Sequence, residues 1–238
     1  MNVVVSIGIV LGILLLVVMI VILMVYVRVK QLEKAQYDDV TRFKFISWLL
    51  SWATPLLFNM SVKVEGLDYL ETVEKGVLFG NHQSNFDIVA LLKGIKRPHG
   101  YVAKKELDNI FILSDAMRLI RCEFMDRNDV RQSVKVISRA SKTVESGHLM
   151  VIFPEGTREK LAPLGQFKAG SFKLAQKAKA DIVPVTIFNS YEVSKRFPRH
   201  TTINIKIHQP IAYEAYENKS MTEICTEVEQ IVKQPLLD

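Results

Sequence analysis

Two segments of this sequence carry side chains that could do chemistry together. The first runs from Gly80 to Asp87, between a predicted strand and a predicted helix, and contains His82 followed five residues later by Asp87. A carboxylate bound to one imidazole nitrogen fixes the tautomer and stabilises the imidazolium, and the other nitrogen can then take a proton from a hydroxyl. The pair therefore predicts general-base chemistry, with an ordinary capped helix start as the alternative.

The second segment, Pro154–Arg158, directly follows an apolar run, His148–Phe153, that we interpret as a buried strand. Ligands of open α/β sheets bind outside the carboxyl ends of the strands. Thr157 offers a hydroxyl, and the guanidinium of Arg158 is a planar fork that matches phosphate oxygens. The segment predicts a phosphate-binding turn, the alternative being a structural ion pair of the arginine with a neighbouring glutamate.

Taken together, these segments resemble the glycerolipid acyltransferase family, and within it most closely the 1-acylglycerol-3-phosphate O-acyltransferase (lysophosphatidic acid acyltransferase) branch. Further blocks follow in the order of that family, and the likeness covers roughly residues 62–211. The matching blocks are Asn81-His82-Gln83-Ser84-Asn85-Phe86-Asp87, Cys122-Glu123-Phe124-Met125-Asp126-Arg127, Phe153-Pro154-Glu155-Gly156-Thr157-Arg158, Gln166-Phe167-Lys168-Ala169-Gly170 and Ile182-Val183-Pro184-Val185-Thr186.

The resemblance implies a role for the matching residues. His82 would be the general base that deprotonates the free sn-2 hydroxyl of the acceptor, and Asp87 would orient it. The hydroxyl would then attack an acyl thioester, either acyl-CoA or an acyl carrier protein, without a covalent acyl-enzyme and without a metal or other cofactor. The residues implied in binding the phosphate of lysophosphatidic acid are Glu155, Gly156, Thr157, Arg158, Arg127 and Lys168.

Three alternatives stay open at the level of the sequence. The same chemistry could act on another acceptor, such as glycerol 3-phosphate or a different lysolipid. A non-catalytic lipid-binding protein could share the fold, although binding alone needs no general base. A hydrolase could use the same His/Asp pair on water, although the sequence has no G-x-S-x-G nucleophile motif.

The elements that must position these residues begin with a predicted membrane anchor, residues 1–30. Val3–Val27 contains no charged residue, and a helix of that length measures about 37 Å, enough to cross a hydrocarbon core of about 30 Å. Basic residues follow at once, at Arg28 and Lys30, so the positive-inside rule predicts a single-pass protein of the cell membrane with a cytoplasmic catalytic part. A buried core helix and a cleaved signal peptide are the alternatives.

Residues 31–60 are predicted to join the anchor to the domain. Their apolar part, Phe43–Met60, carries Trp48 and Trp52 four residues apart and so on one face of a helix. Pro55 is expected to kink or end that helix. We interpret the segment as amphipathic and lying in the headgroup layer, with a core helix of the domain as an equal alternative.

Residues 61–238 alternate between short apolar runs and amphipathic segments, which is typical of an α/β domain. We predict a mixed, largely parallel sheet flanked by helices, the glycerol-3-phosphate acyltransferase-like fold that the resemblance implies. The predicted strands are Gly76–Gly80, Gly100–Ala103, Cys122–Met125, His148–Phe153, Ile182–Phe188 and Thr202–His208. The predicted helices are Phe86–Leu92, Leu107–Ile120, Asp129–Glu145, Lys168–Lys179 and a last helix from a capping box at Ser220–Glu223 to about Lys233.

Composition sets the outer bounds of the function. The chain has 238 residues, 49% hydrophobic and 24% charged, which excludes a disordered or low-complexity protein. The 31 Lys and Arg exceed the 25 Asp and Glu, and a net charge of +6 favours an anionic partner such as a phosphate ester or anionic lipid. The basic residues form no recognised nucleic-acid reader. The partners that the family resemblance implies are lysophosphatidic acid and an acyl thioester, and the predicted anchor adds membrane lipids.

Overall fold

The computed structural model describes residues 3–34, 36–158 and 165–237. Two long helices lead into an α/β domain that is built on a single sheet. The α-helices are α1 (Val3–Leu32), α2 (Asp39–Phe58), α3 (Phe86–Gly94), α4 (Leu113–Leu119), α5 (Val130–Glu145), α6 (Lys173–Ala178), α7 (Glu192–Arg196), α8 (Tyr213–Tyr216) and α9 (Met221–Lys233). The strands are β1 (Met60–Glu65), β2 (Gly76–Gly80), β3 (His99–Lys104), β4 (Glu123–Met125), β5 (Leu149–Ile152), β6 (Asp181–Phe188) and β7 (Thr201–Ile207).

The sheet has seven strands in the order β1-β7-β6-β2-β5-β3-β4, and it is mixed and largely parallel, as predicted. Only β6 and β7 pair in the antiparallel sense, while β1 is parallel to β7. Each predicted strand is present with ends that move by at most one residue. The edge strand β1 was not predicted, because the apolar pattern of α2 runs directly into it and hides its start.

Side chains of the central strands alternate between two cores, one on each face of the sheet. In β2, Val77 and Phe79 lie in the core covered by α5, α6 and α9, whereas Leu78 lies in the core covered by α2, α3, α4 and the end of α1. All three are fully buried. This two-residue period is that of a strand covered on both faces. Because β2 and β5 pair in the parallel sense, their carboxyl ends lie at the same edge of the sheet.

Two of the predicted helices are interrupted. The predicted helix Leu107–Ile120 is a 3₁₀ turn, Lys105–Asn109, followed by α4, and Ile112 between them has a φ of 64°. The predicted helix Lys168–Lys179 likewise begins as a 3₁₀ turn, Ala169–Phe172, before α6. The apolar spacing continues through both interruptions, so the period alone could not show them.

Helix α9 begins at the capping box that the sequence predicts, and α5 has a local motif at each end. The side chain of Asp129 accepts the Gln132 N–H at the start of α5, and Gly147 follows the end of α5 with a φ of 86°. At α9 the reciprocal capping box between Ser220 and Glu223 is present. These ends depend on neighbours in sequence, which is why short motifs are sufficient to predict them.

Helix α1 contains the one segment of the described chain, Val5–Leu32, that is long and apolar enough to cross a membrane by length and composition. Its most apolar window has a mean hydropathy of 3.4, and none of that window is buried in the protein. The candidate span therefore projects from the domain instead of packing in its core.

The last turn of α1, in contrast, is fixed on the domain. Val29 and Leu32 are fully buried, and Lys30 Nζ lies 2.9 Å from Asp115 Oδ2 of α4. Arg42 Nε donates to the Leu32 carbonyl at 2.9 Å, which satisfies one of the free acceptors at the helix end. Helix and domain are thus joined by packing, an ion pair and a cap.

Helix α2 has two unlike faces. Phe43 and Ile46 are buried against the domain, whereas Trp48 and Trp52 are 57% and 69% exposed. The helix continues through Pro55 and ends three residues later. The core-helix alternative therefore holds for one face, and placement of the other face in the headgroup layer stays a prediction.

Candidate active site

The first candidate segment, the loop between β2 and α3, starts from a fixed point. Asn81 follows the last residue of β2 and is fully buried. Its side-chain amide donates to the Ile187 carbonyl at 2.9 Å, and its Oδ1 accepts the Ile187 N–H at 2.8 Å. This pair of bonds ties the beginning of the loop to the neighbouring strand β6.

His82 and Asp87 make the contact that their spacing predicts. His82 Nδ1 lies 2.7 Å from Asp87 Oδ2, and the same oxygen accepts the backbone N–H groups of Gln83 at 2.7 Å and Ser84 at 2.8 Å. The carboxylate is fully buried. With three donors on one buried oxygen, Asp87 fixes the position and the orientation of the imidazole.

The imidazole of His82 keeps one nitrogen for a ligand. Nδ1 donates to Asp87, so Nε2 is the acceptor of the neutral ring. No residue that the structure describes makes a hydrogen bond to Nε2. The side chain is 14% exposed, and Phe153 stacks on it with 4.2 Å between the ring centroids. Stacking and the carboxylate together fix the plane of the ring and the direction of Nε2.

Glu155 joins the two candidate segments. It lies just beyond the end of β5, is 4% exposed, and accepts the backbone N–H of His82 at Oε1 with a distance of 2.9 Å. The contact gives Glu155 a place in positioning the first segment. Its predicted part in phosphate binding stays a prediction.

Gly156 lies in the turn next to the side chain of Lys168. Its φ of 77° lies in the left-handed region, which glycine adopts at little cost. Lys168 Nζ lies only 2.8 Å from the position that a Cβ at Gly156 would take. The Lys168 N–H also donates to the Pro154 carbonyl at 3.1 Å. The absence of a side chain at Gly156 thus makes room for an ammonium group beside the turn.

Arg158 and Thr157 lie at the exposed end of the same turn. The Arg158 guanidinium donates to Oδ1 of Asn85 at 3.0 Å, and Asn85 immediately precedes α3. The bond links the second segment to the first, in addition to the contact of Glu155 with His82. Its partner is a neutral amide, so this contact leaves the positive charge of Arg158 in place.

A groove of about 870 Å³ opens beside the turn, between α5 and α6. Val102 and Ile152 contribute to its apolar floor, and Phe153, which also stacks on His82, forms part of its wall. Arg127 and Lys168 both line it, and partial burial lowers the pKa of the Arg127 guanidinium. Thr157 and Arg158 are not among its lining residues. Of the predicted phosphate-binding cations, Arg127 and Lys168 therefore line the groove, whereas Arg158 does not.

Three side chains of the site were missed by the sequence analysis, namely Asn81, Asn85 and Phe153. All three stand inside the matching blocks, so the signal was present. An amide or an aromatic ring has no chemistry that spacing can assign, and each acts here through a partner distant in sequence.

Within the described ranges, no group of three or more His, Cys, Asp or Glu side chains is placed to hold a metal ion. An imidazole held by a buried carboxylate can take a proton from a hydroxyl, and the basic and apolar surroundings suit an amphiphile that carries phosphate.

Comparison with curated proteins finds relatives that share one printed name. Two proteins named "Probable 1-acyl-sn-glycerol-3-phosphate acyltransferase" are each 34% identical to this chain. The Mycoplasma pneumoniae protein aligns over 160 residues, 65% of this chain and 59% of that protein, and the Mycoplasma genitalium protein over 174 residues, 69% and 63%. The chain thus spans about 60% of the length of these relatives.

A solved structure and a family model agree with the fold. The 1-acyl-sn-glycerophosphate (LPA) acyltransferase PlsC from Thermotoga maritima superposes with a TM-score of 0.70 at 23% identity, over 90% of this chain and 86% of that one. The family model described as Acyltransferase matches residues 61–188, more than half of the chain, and this stretch contains both candidate segments. On that match, the chain belongs to the acyltransferase family.

Proposed function

We propose that this protein transfers an acyl chain from an acyl thioester to the sn-2 hydroxyl of 1-acylglycerol 3-phosphate, lysophosphatidic acid, and so makes phosphatidic acid. The observation that carries the proposal is the 2.7 Å hydrogen bond between His82 Nδ1 and Asp87 Oδ2, which leaves Nε2 open to a ligand. Membership of the acyltransferase family and the names of the relatives support the reaction and the acceptor.

In this reaction His82 acts as the general base. Nε2 accepts the proton of the acceptor hydroxyl while its oxygen attacks the thioester carbonyl. The C–O bond forms, the C–S bond breaks, and the leaving thiolate takes the proton back from the imidazolium. Asp87 stays ionised throughout and stabilises the imidazolium. Base catalysis of this kind contributes about 10²–10⁴-fold to the rate. The thioester is a co-substrate, and the scheme uses no cofactor.

The phosphate of the acceptor is proposed to bind at the turn after β5. Arg158 and Thr157 supply a guanidinium and a hydroxyl, while Lys168 and Arg127 add charge from the groove side. The turn is connected to the base through Glu155, which accepts the His82 N–H. Since the sn-3 phosphate and the sn-2 hydroxyl sit on adjacent carbons, a phosphate held at this turn would bring the hydroxyl towards His82.

The anchoring of the protein is part of the proposal. Residues 1–30 form a single membrane span, residues 31–60 lie along the membrane surface, and residues 61–238 form the cytoplasmic catalytic domain. Support comes from the unburied apolar window of α1, from the basic residues Arg28 and Lys30 at its end, and from the exposed Trp48 and Trp52. An anchored enzyme meets the lipid acceptor in the bilayer and a thioester of CoA or acyl carrier protein from the cytoplasm.

The deciding experiment measures thiol release from acyl-CoA by the full chain in mixed micelles, with and without lysophosphatidic acid. His82→Ala is compared with His200→Ala, which removes an exposed histidine of the same type. We expect acceptor-dependent release that His82→Ala abolishes and His200→Ala leaves unchanged. Release without acceptor would indicate a thioesterase, and tight lysolipid binding without release would indicate a binding protein.

The acceptor is tested in a second set of reactions with glycerol 3-phosphate and with a lysolipid whose phosphate is masked by a headgroup. If Arg158 binds a free phosphate monoester, masking should lower the rate strongly. A preference for glycerol 3-phosphate over lysophosphatidic acid would keep the chemistry and overturn the proposed acceptor.

A further inference from the structure

The segment that joins the 3₁₀ turn Lys105–Asn109 to the first residue of α4 presents an apolar tip, residues 110–113, to the surroundings. Ile110, Phe111 and Leu113 are 45%, 73% and 41% exposed. Single exposed apolar side chains are common on soluble proteins and need no explanation. Three within four consecutive positions form a patch, and an exposed phenylalanine at its centre gives that patch a projecting shape.

The backbone of the tip is held by its own hydrogen bonds. The Ser114 N–H donates to the Ile110 carbonyl at 3.0 Å, and the Ala116 N–H donates to the Ile112 carbonyl at 2.9 Å. Ile112 has a φ of 64°, which is uncommon for a β-branched residue. The fold thus maintains an unfavourable backbone conformation in a turn that leaves Phe111 outside the core.

The tip lies directly beside the candidate span. The ring centroids of Phe111 and Tyr26 are 5.2 Å apart, and one turn further along α1 Lys30 contacts Asp115. From Lys30 to Tyr26, α1 therefore runs alongside the segment from Asp115 to Phe111. Tyr26 is the aromatic residue at the end of the apolar stretch Val3–Val27, so Phe111 reaches the same level as the last turn of that stretch.

We propose that residues 110–113 are a second membrane contact, separate from the proposed N-terminal contact through α1 and residues 31–60, in which Phe111 enters the interfacial layer of the bilayer beside α1. The inference rests on the membrane anchoring of α1 proposed above. Aromatic rings at the end of a span favour the headgroup level, where Tyr26 would also lie. The occupant of the patch is the bilayer because the patch is continuous, through the Tyr26–Phe111 contact, with the unburied apolar surface of α1.

A span alone leaves the domain free to rotate about the helix axis. A contact at the tip, in addition to the proposed surface placement of residues 31–60, fixes one edge of the domain towards the lipid. The tip follows the carboxyl end of β3, and the loop of His82 follows the carboxyl end of β2, which lies at the same edge of the parallel strands. The contact would therefore turn the catalytic edge towards the layer that holds the acceptor.

The test uses the full chain in vesicles of phosphatidylcholine and phosphatidylglycerol. Single cysteines are introduced as Phe111→Cys, as Val130→Cys in α5, which is 76% exposed, and as Leu15→Cys in the middle of α1, which is 63% exposed. Each is labelled with an environment-sensitive fluorophore and quenched by aqueous iodide or by nitroxide lipids. The wild-type chain, whose two cysteines are both buried, gives the background labelling.

At position 111 we expect quenching by nitroxide lipid and an iodide quenching constant on the order of fivefold lower than at position 130, because a group about 5–10 Å inside the boundary is shielded from aqueous ions. Iodide quenching at 111 equal to that at 130, with position 15 in lipid, would overturn the second contact alone. Iodide access at both 111 and 15 would overturn it through failure of the anchoring. Protection of 111 from both quenchers would mean that protein covers the tip, and would overturn the lipid assignment.

Discussion

The loop after β2 and the turn after β5 stand at the ends of adjacent strands, yet they hold their charges in opposite ways. In the loop, Asp87 is fully buried and one of its oxygens takes three hydrogen bonds, one of them from His82. In the turn, Arg158 is exposed and donates a hydrogen bond to a neutral amide, and Lys168 is exposed as well. A proton-transfer group needs a fixed geometry before the substrate arrives, whereas a cation that binds phosphate can adjust its rotamers to the ligand.

The largest expected effect comes from removing the fixed group. His82→Ala should lower kcat by about 10³-fold, within the range of general-base catalysis, with little change in stability because the ring lies at the edge of the core. Asp87→Asn should come close to that loss, since the amide cannot stabilise the imidazolium. Thiol release at saturating substrates measures both. A His82→Ala variant with more than a tenth of the wild-type kcat would show that His82 is not the base.

Glu155 tests whether the two regions depend on one another. Glu155→Ala leaves the partly buried His82 N–H without its acceptor, which should lower the free energy of unfolding by about 1–3 kcal/mol. The resulting displacement of the base should lower kcat by roughly 10–100-fold. Glu155→Gln keeps an oxygen acceptor and should retain most of the stability. Equal denaturant midpoints for Glu155→Ala and the wild type would separate the two regions energetically.

Substitution of Arg158 tests whether the exposed turn after β5 binds the acceptor. Arg158→Ala should raise the KM for lysophosphatidic acid by about 10–100-fold, the equivalent of one or two charge-assisted hydrogen bonds, with kcat changed only a few-fold. Asn85→Ala removes the hydrogen-bond partner of Arg158 but not its charge, so its effect on KM should be clearly smaller. Steady-state kinetics over a range of acceptor concentrations distinguishes the two. A fall in kcat at unchanged KM would place Arg158 with the chemistry instead of with binding.

The smallest effect is expected at Gly156. A side chain there would meet a left-handed φ and the ammonium of Lys168, so Gly156→Ala should cost about 1 kcal/mol of stability and raise the acceptor KM a few-fold. Gly170→Ala is the matched control, since nothing lies within 4 Å of its added Cβ. If Lys168 carries the effect, Gly156→Ala should add nothing to Lys168→Ala in a double-variant cycle.

How much of this could be predicted depends on how far apart the interacting residues are in the sequence. The contact of His82 with Asp87 spans five residues, from the loop after β2 into the first turn of α3, and was predicted from spacing. The bond between Glu155 and the His82 N–H spans 73 residues, as does that between Arg158 and Asn85. Such contacts depend on strand order, which no local pattern contains.

The fold shows the same limit. Strands within the sheet were predicted from their apolar runs, and α9 was predicted from its cap. The break before α4 was missed because apolar residues keep a helical spacing across Ile112, where the backbone turns into the left-handed region. The edge strand β1 was missed because only its pairing with β7 distinguishes it from the end of the preceding helix.

The fixed end of α1 has a mechanical consequence. With its last turn packed on the domain, capped by Arg42 and paired to Asp115, the helix and the domain tilt as one body. An apolar stretch of about 37 Å exceeds a hydrocarbon core of about 30 Å, and such a span adapts to the bilayer by tilting. In the proposed anchoring, a thinner or thicker bilayer would change the distance of the catalytic edge from the membrane surface. Membrane thickness would therefore change how readily the acceptor reaches the site.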